Sequence, residues 1–174
     1  MIHLTGDETA SVDLSSALTE SRAALERLIA AGERSGSAWA TPPAPGKWSP
    51  SQIVEHVARA LEESGKTIQG EPSAFPSLPK FARPVIRAFF FNRVLKKNEF
   101  IKGKTNKAMN PSEGPRTPAE GRVRLKRAHN AFERACLEHG VRFEHVIFGR
   151  ISTADYARFQ ALHTQHHTRQ IIAA

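Results

Sequence analysis

The stretch Phe159-Gln160-Ala161-Leu162-His163-Thr164-Gln165-His166-His167-Thr168-Arg169-Gln170 decides how this chain of 174 residues folds. At about 100° per residue, His163, His167 and Gln170 fall with Tyr156 on one narrow stripe of a helix. The apolar neighbours of this stripe predict that it faces the core. Because buried polar groups are costly without hydrogen bonds, the two imidazoles and the amide need partners inside the protein.

Histidines four residues apart on one helix face can bind a single ion, a spacing that recurs in helical zinc sites. The same spacing occurs by chance or among hydrogen-bonded core histidines, so the pair alone leaves both interpretations open. A third ligand has to come from another helix, and His56, beside the apolar arc of Ile53 and Val57, is a candidate. Taken singly, His56 is also typical of a histidine at a helix surface. Three neutral imidazoles would leave open coordination positions, as in catalytic rather than structural sites.

Four stretches have the apolar spacing of helices, and no segment shows the alternation of a strand. Three of the four open with a capping signal. The expected class is therefore all-α, a four-helix bundle with a long crossover between helices 2 and 3, in a single domain over 1–174. The stretches are 12–31, which stops at Gly32 and Gly36; 49–67, which opens with the capping box Ser49-Pro50-Ser51-Gln52; 117–140, which opens with Thr117-Pro118-Ala119-Glu120; and 156–171, which is capped by Ser152-Thr153-Ala154-Asp155.

The crossover, 70–116, is long and rich in proline and basic residues. Within it, 80–107 carries nine basic residues and one acid, Glu99, so the net charge of +8 is concentrated there. This segment could be a solvated connector, could steer a small anionic substrate, or could contact nucleic acid or anionic lipid. The first interpretation is favoured, because a recognition face would set its charge on regular elements beside aromatic or amide side chains. A short helix over 85–97 is expected to seal one flank or end of the bundle with its aromatic residues.

The composition is globular, with 40% hydrophobic and 24% charged residues, and this excludes disordered and low-complexity classes. Cys136 is the one cysteine, so no intramolecular disulfide can form and a reducing cytoplasm is the expected location. The longest apolar run, Ala88-Phe89-Phe90-Phe91, is far shorter than the roughly 20 residues of a spanning helix. The start of the chain does not resemble a signal peptide. No membrane partner is expected.

Two motifs together resemble those of the DinB-like (DinB/YfiT) superfamily: Trp-Ser-x-x-Gln-x-x-x-His over 48–56, and His-x-x-His-His-x-x-Gln over 163–170. The segment 145–152 is also similar to the His-x-x-Phe-Gly-x-Leu-Thr/Ser segment of one largely uncharacterised branch. The resemblance implies a bundle with up-down-down-up helices, in which the second and third helices run parallel and need a long crossover. It further implies a divalent ion, most often zinc or nickel, held by His56, His163 and His167.

By the same resemblance, the expected chemistry is that of thiol-dependent S-transferases and isomerases. In these enzymes the ion activates a small thiol such as bacillithiol, mycothiol or glutathione for attack on a small-molecule electrophile. Gln170 or Gln52 would orient a ligand or the substrate, and Glu55 or a water would move protons. Metal-dependent hydrolysis is an alternative, although a dedicated base such as the Glu of His-Glu-x-x-His is missing. A non-enzymatic, stress-related binding module with a structural metal is another, and nucleic acid is disfavoured as a partner.

Four further residues have expected roles that are less central. His166 points about 100° away from His167, so a place beside the site is expected rather than a metal bond. His129 is the reserve ligand, and Cys136 is expected to fill the core. His145 should either shape the mouth of the site or lock a turn. A homodimer through exposed helix faces is the expected assembly, and the sequence identifies neither the thiol nor the electrophile.

Overall fold

The computed structural model describes residues 6–100 and 107–172, with side chains from Asp13 onward. Most of this chain is helical, which agrees with the expected all-α class apart from one short hairpin. None of the helices in the described ranges is long and apolar enough to span a membrane. The elements are α1 (Gly6–Arg34), α2 (Pro50–Ile68), α3 (Arg83–Ile86), α4 (Asn92–Lys97), α5 (Pro118–Glu138), β1 (Arg142–His145), β2 (Gly149–Ser152) and α6 (Thr153–Ile172).

The helix starts follow the capping signals of the sequence. Ser49 Oγ accepts a hydrogen bond from the Gln52 backbone N–H at 3.3 Å, and the Gln52 side chain accepts one from the Ser49 N–H at 3.0 Å, which completes the expected box. Thr117 caps α5 by accepting from the Glu120 N–H at 3.2 Å. Glu120, however, reaches back to the N–H of Arg116 rather than to that of Thr117. In the second capping box, the hydrogen bond that the glutamate side chain accepts is therefore displaced by one residue toward the N-terminus.

Contacts between the long helices define their relative directions. Along α2 and α5, Val54 lies beside Gly121, and Gly65 lies beside Phe132, so these two helices run parallel. Parallel neighbours cannot be joined by a tight turn, and the crossover is therefore obligatory.

Two further pairings, of α1 with α5 and of α2 with α6, are antiparallel. On α1 and α5, Ser21 meets His129 near one end, while Glu33 pairs with Arg122 near the other. Across α2 and α6, His56 lies by His163 while Ser64 lies by Tyr156. The described core fills the space between these helices with Leu18, Leu28, Val57, Leu125 and Phe132.

The crossover contains the expected short helix, which runs from α3 through a π-helical turn, Arg87–Phe91, into α4. The wide turn lets Phe90 and Phe91 both point inward, where the ring of Phe91 lies 5.1 Å from that of Phe159 on α6. The prediction that the aromatic residues of this helix seal a flank of the fold is confirmed for Phe90 and Phe91, but it is wrong for Phe89, 72% of whose surface is exposed. Residues 101–106, with Lys102 and Lys104 of the predicted basic segment, lie outside the described residues.

The hairpin of β1 and β2 was not expected, and the prediction that no strand is present was wrong. The strands pair antiparallel with Phe143 opposite Ile151 and His145 opposite Gly149. Phe143 and Ile151 are buried against the core, and Gly149 adopts a positive φ of 70°. Each strand has only four residues, so its two-residue alternation is too brief to stand out between two helices.

His145 locks the turn of this hairpin, the second of the two roles expected for it. Its Nδ1 accepts hydrogen bonds from the backbone N–H groups of Ile147 and Phe148 at 3.0 and 3.3 Å. The Nε2 must then carry the proton, which it donates to the Tyr156 hydroxyl at 3.1 Å. Burial lowers the pKa of His145 to about 3, because the charged imidazolium would lose its hydration there.

This depressed pKa makes the stability depend on pH. Above about pH 6.5 the imidazole is neutral in both the folded and unfolded chains, but below it only the unfolded chain gains the proton, so stability falls toward pH 3. His145→Asn keeps an acceptor near the position of Nδ1 and removes the titration. Between pH 7 and pH 5, we expect the wild type to lose about 2 kcal/mol more unfolding free energy than this variant in urea titrations.

His139→Asn is the matched control, because His139 is exposed at the end of α5. The unfolding free energy of the His139→Asn variant should change between pH 7 and pH 5 by as much as that of the wild type. Parallel profiles for wild type and His145→Asn would contradict the assigned role.

Candidate metal centre

Three histidines from two helices converge at one point between α2 and α6. His163 Nε2 lies 3.3 Å from His56 Nε2 and 3.1 Å from His167 Nε2. One ring nitrogen from each of the three lies within 4.8 Å of the others, and no Asp, Glu or Cys of the described residues joins the group. The structure thus brings together the three histidines that the sequence predicted as ligands.

Two hydrogen bonds fix the direction of the outer imidazoles. His56 Nδ1 donates to the carbonyl oxygen of Met109 at 2.7 Å, since a carbonyl can only accept. His167 Nδ1 lies 2.8 Å from Gln170 Oε1 and donates to it. With the proton on Nδ1, each neutral ring presents a bare Nε2 lone pair toward His163.

The arrangement fits a tetrahedral metal ion better than it fits a hydrogen-bonded cluster. His163 Nε2 can carry one proton, which can be donated to the lone pair of either His56 Nε2 or His167 Nε2. The lone pair of the remaining imidazole then faces a nitrogen that has no proton to donate. Metal–nitrogen bonds of about 2.0–2.1 Å at tetrahedral angles hold their nitrogens about 3.3 Å apart. The two distances from His163 Nε2, 3.3 and 3.1 Å, match this spacing, and the ligand nitrogens of His56 and His167 lie within 4.8 Å of each other. A partner on the Nδ1 of a ligating histidine is the usual way in which proteins orient such rings.

The electrostatics of the site favour neutral imidazoles, the form that binds metals. Burial lowers the pKa of His163 well below its usual value and that of His167 to about 3, and neighbouring histidines add to both shifts. Burial also lowers the pKa of His56, with a smaller contribution from Arg59. No proton therefore competes strongly for these nitrogens near neutral pH.

Aromatic side chains cover the three histidines. The ring centroid of Trp48 lies 4.7 Å from that of His56 and 6.1 Å from that of His167, and its Nε1 donates to Asn110 Oδ1 at 3.1 Å. Phe100 lies 5.7 Å from the ring of His163. These rings limit the access of water and give the site an apolar wall.

Sequence reasoning missed Met109, Asn110 and Phe100, and it gave Trp48 no role. Trp48 had a signal, because it opens the motif that ends at His56. The other three belong to the crossover and reach the site from a distant part of the chain, so no local spacing marks them.

Gln52, expected to orient a ligand or substrate, has a structural role instead. Besides capping α2, its Nε2 donates to the carbonyl oxygens of Pro111 and Ser112 at 3.3 and 3.2 Å. All these partners are backbone atoms, so the amide fastens the crossover to the start of α2. Its contacts give no support to substrate handling.

Glu55, expected to move protons, faces α5 rather than the histidines. Its oxygens pair with Arg59 at 2.8 Å and with Arg124 at 3.1 Å. Arg124 also binds Glu62, so the carboxylate belongs to an ion-pair network between α2 and α5. This placement argues against a role as the base of the site.

Gln170 and His166 stand beside the site. The prediction that Gln170 faces the core is wrong, because its side chain is exposed near the end of α6. Gln170 orients His167, and its Nε2 donates to His166 Nε2 at 3.1 Å. The ring of His166 packs against Phe100 at 5.0 Å, which agrees with the prediction that His166 does not bind the metal.

The reserve ligand, His129, is not part of the site. Its Nε2 pairs with Ser21 Oγ at 3.0 Å between α1 and α5, and the prediction that it could replace a ligand is wrong. Cys136 fills the core as expected, and burial raises the pKa of its thiol to about 12, so it remains protonated.

Comparison with known proteins gives one match. The family described as "Protein of unknown function (DUF1569)" matches residues 11–173, nearly the whole chain. No curated protein and no solved structure matches.

The hydrogen bond from His167 to Gln170 can be tested by metal affinity. Gln170→Ala leaves the His167 Nδ1 proton without its acceptor and frees the ring to rotate. Loss of such a partner typically weakens binding, so we expect the zinc Kd to rise about 10- to 100-fold. Competition with a chromophoric chelator measures this change.

Two further variants separate orientation from general damage to α6. Gln170→Glu keeps an acceptor and should retain most of the affinity, while Gln165→Ala removes another glutamine of the same helix and should bind as the wild type does. A Kd for Gln170→Ala within twofold of the wild type would contradict the assigned role.

Proposed function

The chain belongs to the DUF1569 family, whose function is unknown, and we propose that it is a metal-dependent enzyme with thiol-dependent S-transferase or isomerase chemistry. His56, His163 and His167 would hold a divalent ion, zinc or nickel, with the choice between them set by availability. The observation that carries the proposal is the convergence of three neutral imidazoles at metal-ligand spacing.

We further propose that the fold is a four-helix bundle of the DinB-like (DinB/YfiT) kind, with up-down-down-up helices. The parallel course of α2 and α5, joined by the long crossover, supports this arrangement. The antiparallel contacts of α1 with α5 and of α2 with α6 support it as well. The resemblance of the motifs over 48–56 and 163–170 supports membership of that superfamily.

The lack of a carboxylate at the site favours thiol chemistry over hydrolysis. A bound divalent ion would supply a Lewis acid that lowers the pKa of a thiol or a water. Hydrolysis at such a site usually draws on a protein carboxylate as general base. No Asp or Glu joins the histidines in the described ranges, and Glu55 is held by two arginines. A thiol is intrinsically much more acidic than water, so it needs less help to lose its proton.

The surroundings of the site suit the two proposed substrates. Glutathione and bacillithiol carry carboxylates, which the basic crossover would attract. An electrophile with apolar groups would contact Trp48 and Phe100, which cover the histidines. The net reaction is RSH + R′X giving RSR′ + HX, in which a C–S bond forms, the C–X bond breaks and the thiol proton leaves with X. The proposed location is a reducing cytoplasm, where such thiols are kept reduced.

The test is turnover of 1-chloro-2,4-dinitrobenzene by zinc- or nickel-loaded protein with glutathione, bacillithiol or mycothiol. We expect a rate above the uncatalysed reaction with at least one thiol. The rate should fall to background in His163→Ala and after chelation, because each removes the ion from the thiol.

His139→Ala is the matched control, because His139 is exposed just after α5, and this variant should keep the wild-type rate. Hydrolysis of p-nitrophenyl acetate without thiol, lost in His163→Ala, would favour the hydrolase alternative. A metal-loaded protein inactive in both assays would favour the non-enzymatic alternative.

A further inference from the structure

The crossover helix exposes a row of large apolar side chains. Phe81, Val85 and Phe89 are spaced by four residues, and 85%, 54% and 72% of their surfaces are exposed. Pro84 and Ala88 lie exposed between them. We call these five residues the apolar stripe. Large apolar groups left in water are costly, and a contiguous row of them marks a binding surface.

The π-helical turn explains why this row points outward. Phe90 and Phe91, which follow Phe89 directly, are directed into the protein against α6 and the hairpin. Three consecutive phenylalanines are thus divided, with two packing the helix onto the fold and one left in solvent. Because the helix is already held by Phe90 and Phe91, Phe89 is not needed for its anchorage.

Cations bracket the apolar stripe. Lys80 precedes it, and Arg93, Lys96 and Lys97 continue the exposed face of the helix beyond Phe89. Two other cations of the same segment are used within the fold: Arg83 pairs with Glu144, and Arg87 donates to the carbonyl of Arg150. Arg93 forms an exposed ion pair with Glu99, so the main cations that project into solvent are Lys80 at one end of the stripe and Lys96 and Lys97 at the other.

We propose that this surface docks on an anionic lipid bilayer, with the apolar stripe inserted at the level of the headgroups. An interfacial helix combines apolar side chains that enter the acyl boundary with lysines and arginines that meet anionic headgroups. The crossover carries nine basic residues and one acid between 80 and 107, which matches a negative surface. This peripheral contact departs from the expectation that no membrane is a partner, and it is compatible with the described helices, none of which is long and apolar enough to span a membrane.

The charge disfavours the other occupants of such a surface. Two copies of the chain meeting through the same face would bring Lys80, Arg93, Lys96 and Lys97 of one against those of the other. A nucleic acid would neutralise the charge and could stack bases on Phe81 and Phe89, but it offers no apolar partner for Pro84, Val85 and Ala88. A bilayer accommodates both the charge and the aliphatic groups.

The test is cosedimentation of the full chain with vesicles in near-physiological salt. Vesicles of phosphatidylcholine and phosphatidylglycerol at about 3:1 supply the anionic surface, and pure phosphatidylcholine is the neutral reference. We expect binding to the anionic vesicles and little to the neutral ones.

Paired variants divide the apolar contribution from the electrostatic one. Phe81→Ser with Phe89→Ser should weaken binding about tenfold for each phenylalanine removed. Val123→Ser with Leu137→Ser, at exposed apolar positions of α5, should have no effect. Lys96→Gln with Lys97→Gln should weaken binding about fivefold per lysine. Arg127→Gln with Arg134→Gln removes the same charge from α5 and should weaken it much less.

Three results would overturn the proposal. The first is no binding to anionic vesicles. The second is binding that is insensitive to the phenylalanine variants and equally sensitive to both charge variants, which would mean adsorption by net charge alone. The third is a different occupant: a dimer in gel filtration that Phe89→Ser dissociates, or Phe81- and Phe89-dependent binding of a single-stranded oligonucleotide in the absence of vesicle binding.

Discussion

The convergence of three imidazole Nε2 atoms between α2 and α6 is the constraint on which the rest of the structure depends. Polar rings at positions where leucine would otherwise pack are stable only if each nitrogen has a partner. Met109 and Gln170 satisfy the outer nitrogens of His56 and His167. The Nε2 atoms of His56 and His167 lie 3.3 and 3.1 Å from that of His163, a spacing that fits ligands of one tetrahedral ion. A metal site would therefore explain why three imidazoles occupy core positions that apolar side chains would otherwise fill.

The crossover serves this site as well as joining two parallel helices. Its last part is fastened to α2 by the Gln52 amide and by Ser51 Oγ, which donates to the Pro115 carbonyl at 2.7 Å. Gly114 lies so close to Ser51 that any side chain there would collide with its backbone. This close contact between the crossover and α2 places the Met109 carbonyl where it accepts a hydrogen bond from His56, and Asn110 where it accepts one from Trp48. A segment that resembles a solvated connector in sequence is therefore part of the site.

Local signals in the sequence predicted what short-range physics determines. Capping residues placed the starts of α2, α5 and α6, and helical spacing put His163 and His167 on one face. The contacts of Gln52 with Pro111 and of Glu55 with Arg124 could not be predicted, because these partners are distant in sequence and only the folded chain brings them together. The hairpin was missed because a strand of four residues contains too few alternations of buried and exposed side chains to be recognised. Only His145, in its turn, had been singled out.

The most direct test of the account is the metal content of untagged protein, measured by elemental mass spectrometry after purification and again after reconstitution with zinc. The account predicts about one ion per chain in the wild type and in His139→Ala, and a loss of that ion in His56→Ala and in His163→Ala. A wild-type chain that takes up no ion, or a His163→Ala chain that retains it, would contradict the three-histidine centre.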